Sequence, residues 1–308
     1  MIRRAACFLI SALWLAVPAR PQEPVIRVNV RLVRMLVTVK DSNSQLIGSL
    51  NKSDFAVFDN GVKQDIAVFE RRTEQPLSVA LMLDASASVG IELRYELDSA
   101  SKFLKGFVAE GNPDDAAALY TFDWRTTLVK GYTRRFTVLD QALRQIKPSG
   151  GTSMYDAIYL VSQELEDRDG RHVMVIVTDG GDTTSSKDFH QALEAAQRAD
   201  AVIYPIVVIP ISNNAGRNTG GENALTTMSA GTGGRVFTPS SAPELDRAFA
   251  DILRDLRTQY LIGYYPKGIP PTKDRYHTLK VTTQGRNLRV VTRSGYYGDS
   301  DASNGSSR

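Results

Sequence analysis

Continuous apolar runs alternate with helical patterns between residues 76 and 258, and this alternation constrains the fold more than any other feature of the chain. Four runs read as buried strands, at residues 77–83, 116–122, 173–177 and 201–208. Helical spacing of apolar residues appears near 91–110, 138–146, 154–166, 188–199 and 243–258. Buried strands separated by helices predict an α/β fold, a doubly wound and mostly parallel sheet covered on both faces.

Shorter β patterns flank this α/β region. Residues 55–58 and 65–69 are predicted to pair around the turn signal Asn60-Gly61, and residues 277–283 and 288–292 read as a second hairpin. We expect the flanks to pack together as one small β module into which the α/β domain is inserted. The predicted division is a signal peptide at 1–19, an N-terminal β segment at 24–75, the α/β domain at 76–258, a C-terminal β segment at 259–298 and a disordered tail at 299–308.

The first residues are typical of an export signal. Arg3 and Arg4 precede an apolar run to Val17, which is too short for a comfortable membrane span, and Ala19 ends a small-residue cleavage pattern. This predicts a periplasmic, cell-surface or secreted protein, with an uncleaved N-terminal anchor as the alternative. Cys7 is the one cysteine of the chain and lies inside the signal, so the mature chain would hold no disulfide or zinc thiolate. A formal charge of +3 without a clustered basic face argues against nucleic acid as a partner.

Oxygen-bearing side chains follow the predicted strands. Asp84, Ser86 and Ser88 alternate directly after the first run, Thr152 lies in the segment SGGTSM, and Asp179 follows the third run. Open α/β sheets hold ligands at the carboxyl ends of their strands, so these side chains are expected at one sheet edge. Carboxylates and hydroxyls suit a hard divalent cation such as Mg²⁺.

The same residues resemble the metal-ion-dependent adhesion site of the von Willebrand factor type A domain family. The match is DxSxS at Asp84, Ser86 and Ser88, threonine at Thr152 in GGTS, and aspartate at Asp179 in TDGGD. The resemblance implies that the three hydroxyls bind Mg²⁺, or Mn²⁺ or Ca²⁺, while the two carboxylates bind it directly or through water. It also implies an open coordination position, filled by an acidic side chain of a protein partner. The flanking segments are similar to those of exported bacterial proteins of acidobacterial type that are built around this domain.

Other residues near these motifs are predicted to stabilise loops or to form the surface around the site. Asp156 and Asp182 are predicted to bond loop backbone or to orient the metal ligands, and Asp123 to stabilise a turn. Trp124 either packs against the domain or contributes to a partner surface. Residues 213–223 are polar and glycine-rich, which predicts a surface loop, with a ligand-contacting lid as the alternative.

Three functions fit these features. The first is an exported, adhesion-type binding module that captures an acidic partner residue through the cation. The second is a structural envelope component in which the β flanks mediate assembly and the metal stabilises the fold. The third is a metal-dependent hydrolase, which would need a general base and a nucleophile near the ion. Because the three histidines are scattered and no triad is evident, we expect a protein that is not an enzyme.

Overall fold

A computed structural model describes residues 32–71, 75–87, 93–208, 218–270, 275–284 and 287–298. The predicted signal peptide with Cys7, the predicted ligand Ser88 and the tail at 299–308 lie outside the described residues. Within the described ranges, none of the helices has the length and apolar character needed to span a membrane.

The described residues form strands and α-helices in an order that changes from β to α/β and back to β. The strands are β1 (Val33–Lys40), β2 (Phe55–Asp59), β3 (Val62–Gln64), β4 (Ile66–Arg71), β5 (Leu77–Asp84), β6 (Ala116–Phe122), β7 (Thr126–Thr133), β8 (Arg171–Thr178), β9 (Ala201–Val207), β10 (Tyr260–Tyr264), β11 (Tyr276–Thr283), β12 (Arg289–Val291) and β13 (Gly295–Tyr297). The helices are α1 (Leu93–Glu110), α2 (Phe136–Leu143), α3 (Met154–Glu166), α4 (Phe189–Arg198), α5 (Thr219–Thr232) and α6 (Ala242–Thr258).

The α/β domain is built on a sheet with the strand order β7-β6-β5-β8-β9, in which β7 alone of these five strands is antiparallel. Successive side chains of a strand point to opposite faces. Leu81 and Leu83 of β5 accordingly pack with α1, α2 and α6, whereas Ala80 and Met82 pack with α3, α4 and α5. The predicted doubly wound sheet is confirmed. The apolar pattern does not predict β7, because an edge strand keeps polar and exposed side chains.

Helix α5 corrects the prediction of a surface loop over residues 213–223, the first part of which lies outside the described residues. Asn218 caps the helix, and its side-chain oxygen accepts a hydrogen bond from Gly221 N at 2.9 Å. Leu225 and Met228 are buried against the central sheet. This packing outweighs the low helix propensity of the glycines in the first turn.

The flanks form the predicted β module, which consists of two four-stranded sheets with the orders β12-β1-β10-β4 and β13-β11-β2-β3. Each sheet combines strands from both ends of the chain, since β1 pairs with β10 and β12, and β2 pairs with β11. Val37, Val57, Tyr260 and Val281 belong to one apolar core shared by the two sheets. The α/β domain is therefore inserted between the two halves of the module.

Both hairpins predicted in the flanks are wrong in their pairing. Asn60 and Gly61 do form a turn with positive φ angles, but this turn joins β2 to β3, while β4 pairs with β10 in the other sheet. Likewise, β11 pairs with β2 and β13, and β12 pairs with β1. An alternating pattern identifies a strand with one buried face, but it does not select the partner of that strand.

The β module packs at the amino edge of the parallel sheet, where β5, β8 and β9 begin. Gln259 alone separates α6 from β10, and its side-chain nitrogen lies 3.2 Å from Tyr204 Oη. Beside it, the buried carboxylate of Asp255 pairs with Arg235 at 2.7 Å and with Lys40 at 3.4 Å. The carboxyl edge, with the predicted site, lies at the other end of the sheet.

Candidate metal centre

Asp84 ends β5 at the carboxyl edge of the parallel sheet, as the sequence predicts. It pairs with Phe122, the last residue of β6, and its neighbour Leu83 pairs with Val177 of β8. Asp179 directly follows β8 and thus emerges at the same edge. The register of the sheet therefore brings two carboxylates from distant parts of the chain together.

Asp84 is fully buried, at 0 % exposure, and accepts hydrogen bonds from Ser86 and Thr178. Oδ1 accepts from Ser86 N at 2.9 Å, and Oδ2 accepts from Thr178 Oγ1 at 2.7 Å. Burial raises the pKa of Asp84 to about 6; hydrogen bonds from Ser86 and Thr178 oppose this rise, and the charge of Asp179 adds to it. A cation at this edge would offset both the burial of the charge and the repulsion between the carboxylates.

The loop between α2 and α3 carries Thr152 to this edge. Ser149 N donates to Ala85 O at 2.6 Å, and Ser153 N donates to Asp123 O at 2.6 Å. These bonds attach the loop, on both sides of Thr152, to the segments that directly follow β5 and β6. A third segment of the chain thereby joins the two that carry Asp84 and Asp179.

Thr152 is held by its backbone, while its hydroxyl stays unbonded. Its N–H donates to Thr183 Oγ1 at 3.0 Å, and its carbonyl accepts from Thr183 N and Thr184 N at 2.8 and 3.2 Å. The residue is only 5 % exposed, yet its hydroxyl makes no hydrogen bond within the described part of the chain. A hydroxyl that is held in a fixed position and has no protein partner is suited to binding a ligand.

Asp179 lies where the start of α5 meets the loop after β8. Its Oδ1 accepts from Gly181 N at 3.1 Å. Gly180 has a φ of +92°, and a Cβ on Gly221 of α5 would lie 1.4 Å from Gly180 O, so glycine is required at both positions. The positive end of the α5 dipole favours the negative charge of Asp179 beside it.

Two further carboxylates attach the segment 182–187 to α3. Asp182 accepts from Tyr155 N at 2.9 Å, and Asp156 accepts from Lys187 N at 2.7 Å. The predicted loop-bonding role of these two carboxylates is confirmed. They stabilise the segment whose Thr183 holds Thr152 in place.

The turn after β6 forms a rim beside the site. Asp123 stabilises it as predicted, by accepting from Arg125 N at 2.9 Å. Trp124 N donates to Gly150 O at 2.9 Å, which ties the turn to the loop of Thr152. The Trp124 side chain is 58 % exposed, and the Arg125 guanidinium lies 4.9 Å from its ring centre. Trp124 thus does not pack into the domain.

Four of the five predicted ligands are therefore described, and three segments bring them to one edge. They are Asp84, Ser86, Thr152 and Asp179. Sequence reasoning missed Thr178, which orients Asp84; its signal was its place directly before Asp179 in the TDGGD segment. Within the described ranges, no group of three or more histidine, cysteine or acidic side chains is placed to hold a metal ion. The candidate centre consequently depends on hydroxyls as well as on carboxylates.

The α/β domain is similar to known proteins over most of its length. A family model described as the von Willebrand factor type A domain matches residues 78–251. Cuticlin-6 of Caenorhabditis elegans is 29 % identical over 205 residues, which cover 64 % of this chain and 33 % of that protein. The chain thus spans about a third of the length of this curated relative.

Two solved structures are also similar to parts of this chain. The vWF domain of the type V pili tip protein Mfa5 from Porphyromonas gingivalis is 14 % identical, with a TM-score of 0.48, and the match covers 58 % of this chain and 94 % of that one. Proximal thread matrix protein 1 from the mussel byssus is 21 % identical, with a TM-score of 0.49, covering 64 % and 49 %. The match to the family model covers more than half of the sequence and includes every predicted ligand. The chain therefore belongs to the von Willebrand factor type A domain family.

Proposed function

We propose that this protein is an exported binding module that captures an acidic residue of a protein partner through a divalent cation. The observation that carries the proposal is the pairing, at one sheet edge, of a buried carboxylate, Asp84, with the fixed and unbonded hydroxyl of Thr152. Membership of the von Willebrand factor type A domain family supports a protein-binding role. The predicted export signal at 1–19 supports a site of action outside the cytoplasm.

The donor set fits a hard cation, Mg²⁺ first and Mn²⁺ or Ca²⁺ as alternatives. Asp84 and Asp179 offer carboxylate oxygens, and Ser86, Thr152 and Ser88 offer hydroxyls, which together form the oxygen-only set that such ions prefer. A bound cation would supply positive charge and an open coordination position. Because the hydroxyls are neutral, they leave more of that charge available to a partner carboxylate than an all-carboxylate set would.

The rim formed by Trp124 and Arg125 extends the proposed binding surface. A tryptophan that is 58 % exposed beside the site offers a large apolar contact, and tryptophan is enriched at binding hot spots. The stacked Arg125 restricts the orientation of the ring and adds a positive charge. We assign to this rim the contacts that surround the acidic residue of the partner.

A structural envelope component is the second candidate, and the β module favours it. The two sheets of the module share a core of their own, which is more structure than is needed to connect the α/β domain. In that case the cation would only stabilise the fold. The two functions differ in whether loss of one hydroxyl ligand, Thr152, removes partner binding.

Metal binding is tested by isothermal titration of Mg²⁺ and Mn²⁺ into residues 20–308. Wild type and Asp123→Ala should bind saturably, because Asp123 stabilises a turn at the same edge but is not a proposed ligand. Asp84→Ala should bind at least ~100-fold more weakly, since it removes a buried carboxylate ligand. Circular dichroism checks that each variant is folded. A folded wild type without saturable binding would contradict the proposal.

Partner recognition is tested by panning a random peptide display library in Mg²⁺ and again in EDTA. Peptides enriched on the wild type should contain Asp or Glu, and should lose binding in EDTA and after Asp→Asn or Glu→Gln replacement. With Mg²⁺ near the wild-type dissociation constant, Thr152→Val should retain fewer of the same peptides. Peptides that bind equally well in EDTA would refute metal-dependent capture and favour the structural alternative.

A further inference from the structure

A small cavity lies where the β module meets the amino edge of the sheet, at the opposite end from the candidate metal centre. We call it the joint cavity. It has a volume of about 40 Å³. Its lining comes from both parts of the molecule, with Arg34 and Arg293 from the module, and Arg171, Gln197, Asp200 and Thr232 from the α/β domain. Three of these side chains are positively charged and one is negatively charged, which leaves an excess of two positive charges.

Arg171 is the first unusual member of this set. It begins β8, is only 5 % exposed, and forms no ion pair with an acidic residue of the described chain. Its Nη1 donates to Leu256 O at 2.8 Å, and its Nε lies 3.4 Å from Gln75 O. The carbonyl of Leu256 belongs to the last turn of α6, so the helix dipole offsets part of the charge. Asp115, which could offset more, is bound by Arg257 at 2.8 Å.

Arg293 is the second unusual residue that lines the joint cavity. It is 7 % exposed, and its Nη1 and Nη2 donate to the carboxylate of Asp200 and to Arg34 O. Its Nε is buried and has no hydrogen-bond partner in the described part of the molecule. The side chain of Asp200 is 42 % exposed, so water weakens the neutralisation that this ion pair provides.

Buried arginines are rarely left without a full set of anionic partners, because an uncompensated charge is costly in the protein interior. Burial lowers the pKa of Arg171 to about 10, and the neighbouring charge of Arg257 adds to this effect, while the charges of Asp115 and Glu70 oppose it. Arg171 remains charged at neutral pH even so. The joint cavity therefore combines incomplete charge neutralisation with open space lined by arginines from both parts of the molecule.

We infer that the joint cavity binds a small inorganic anion between Arg171 and Arg293. A volume of about 40 Å³ corresponds to about three water positions at 10–15 Å³ each, which admits chloride or a compact oxyanion and excludes a nucleotide or a peptide. The anion would contact one arginine from the α/β domain and one from the β module. It would therefore stabilise the attachment of the module to the domain, independently of any cation at the other edge.

The test is thermal unfolding of residues 20–308 at constant ionic strength, with gluconate replaced stepwise by chloride, sulfate or phosphate. Gluconate is too large for the joint cavity and serves as the reference. Binding to the native state alone raises Tm with the logarithm of anion concentration, and we expect a total rise of about 5 °C. Exclusion of salt from the protein surface instead produces a gradual rise that is the same in all variants.

Three variants locate the effect. Arg171→Gln should lose most of the anion-dependent rise, and Arg254→Gln, which changes an exposed arginine of α6, should keep it. Asp200→Asn removes the carboxylate that competes for Arg293, so it should reach the same rise at a concentration at least ~3-fold lower. This opposite response keeps the inference testable if Arg171→Gln does not fold. A rise that is equal in wild type and Asp200→Asn, or no specific rise in wild type, would mean that the joint cavity holds water alone and would overturn the inference.

Discussion

The two edges of the parallel sheet carry charged groups of opposite sign in different surroundings. At the carboxyl edge, Asp84 and Asp179 lie close together, and the nearby groups are hydroxyls and backbone N–H donors. At the amino edge, Lys40, Arg171 and Arg293 are covered by the β module or by the domain itself. One sheet therefore separates a negatively charged edge, which lies away from the β module, from a positively charged edge, which the β module covers except at the joint cavity. We call them the open edge and the closed edge.

The two edges differ in whether each buried charge is neutralised within the protein. In the closed edge, Asp255 binds both Lys40 and Arg235, so those charges are neutralised within the protein and need no ligand. In the open edge, hydrogen bonds to Asp84 do not outweigh its burial, and its pKa stays raised. Internal neutralisation, as at Asp255, indicates a stabilising contact, whereas incomplete neutralisation, as at Asp84 and in the joint cavity, indicates a site for an ion.

The largest effect is expected at the closed edge. Asp255→Ala should lower the free energy of unfolding by about 3 kcal/mol, because it leaves Lys40 buried without its carboxylate. Burial already lowers the pKa of Lys40, so part of the cost will be relieved by its deprotonation at high pH. Urea unfolding followed by circular dichroism gives the value.

Asp251→Ala is the matched control for that variant. Asp251 lies on the same helix and contacts the same Arg235, at 3.6 Å, but its side chain is 37 % exposed. Exposed ion pairs contribute at most about 1 kcal/mol, so the control should lose no more than that. Equal losses in the two variants would show that burial at the joint does not govern these contacts.

The next effect is expected at the open edge and depends on pH. The pKa of Asp84 is about 6 in the fold against 3.8 for an ordinary aspartate, so the folded state holds the proton more tightly. This contribution to stability is complete below about pH 4 and is lost as the pH rises through 6. Without metal, the loss should amount to about 2 kcal/mol between pH 4 and pH 7.

Asp84→Asn isolates this contribution, because asparagine does not titrate. The difference in unfolding free energy between wild type and Asp84→Asn should change with pH in the stated direction in EDTA. Addition of Mg²⁺ at pH 7 should restore the wild type and leave Asp84→Asn unaffected. A difference that is independent of pH would contradict the assignment of the raised pKa to Asp84.

The sequence predicts those features of the fold and of the site that depend on a single segment of the chain. The buried strands and the order of Asp84, Thr152 and Asp179 after them are local patterns, and together they predict the sheet and the shared edge. The bond from Thr178 to Asp84 depends on which strands are neighbours and in which register. The pairing and register of strands depend on several segments together, so they cannot be predicted from any one of them.

Dependence on contacts between distant segments also explains which sequence-based predictions are wrong. Strands β4 and β12 are recognisable, but their partners are chosen by a core that the two ends of the chain build together. Arg171 looks like an ordinary arginine at the start of a strand, and it is buried because the β module covers that edge. The local sequence does not predict helix α5, because its glycines disfavour a helix, while Asn218 and packing on the sheet stabilise it.

The smallest effect separates the hydroxyl ligands from the carboxylates at the open edge. Thr152→Val keeps the shape of the side chain and replaces its unbonded hydroxyl by a methyl group, so the fold should lose less than about 1 kcal/mol. Cation affinity should fall by about tenfold, which corresponds to about 1.4 kcal/mol.

Thr183→Val is the matched control, since Thr183 Oγ1 only accepts the bond from Thr152 N. The control should lose stability of the order of 1 kcal/mol with a smaller change in affinity. Titration calorimetry and urea unfolding of the two variants measure both quantities. If Thr183→Val weakened the cation more than Thr152→Val, the position of the loop would matter more than the hydroxyl, and the open edge would resemble the closed one in depending on packing.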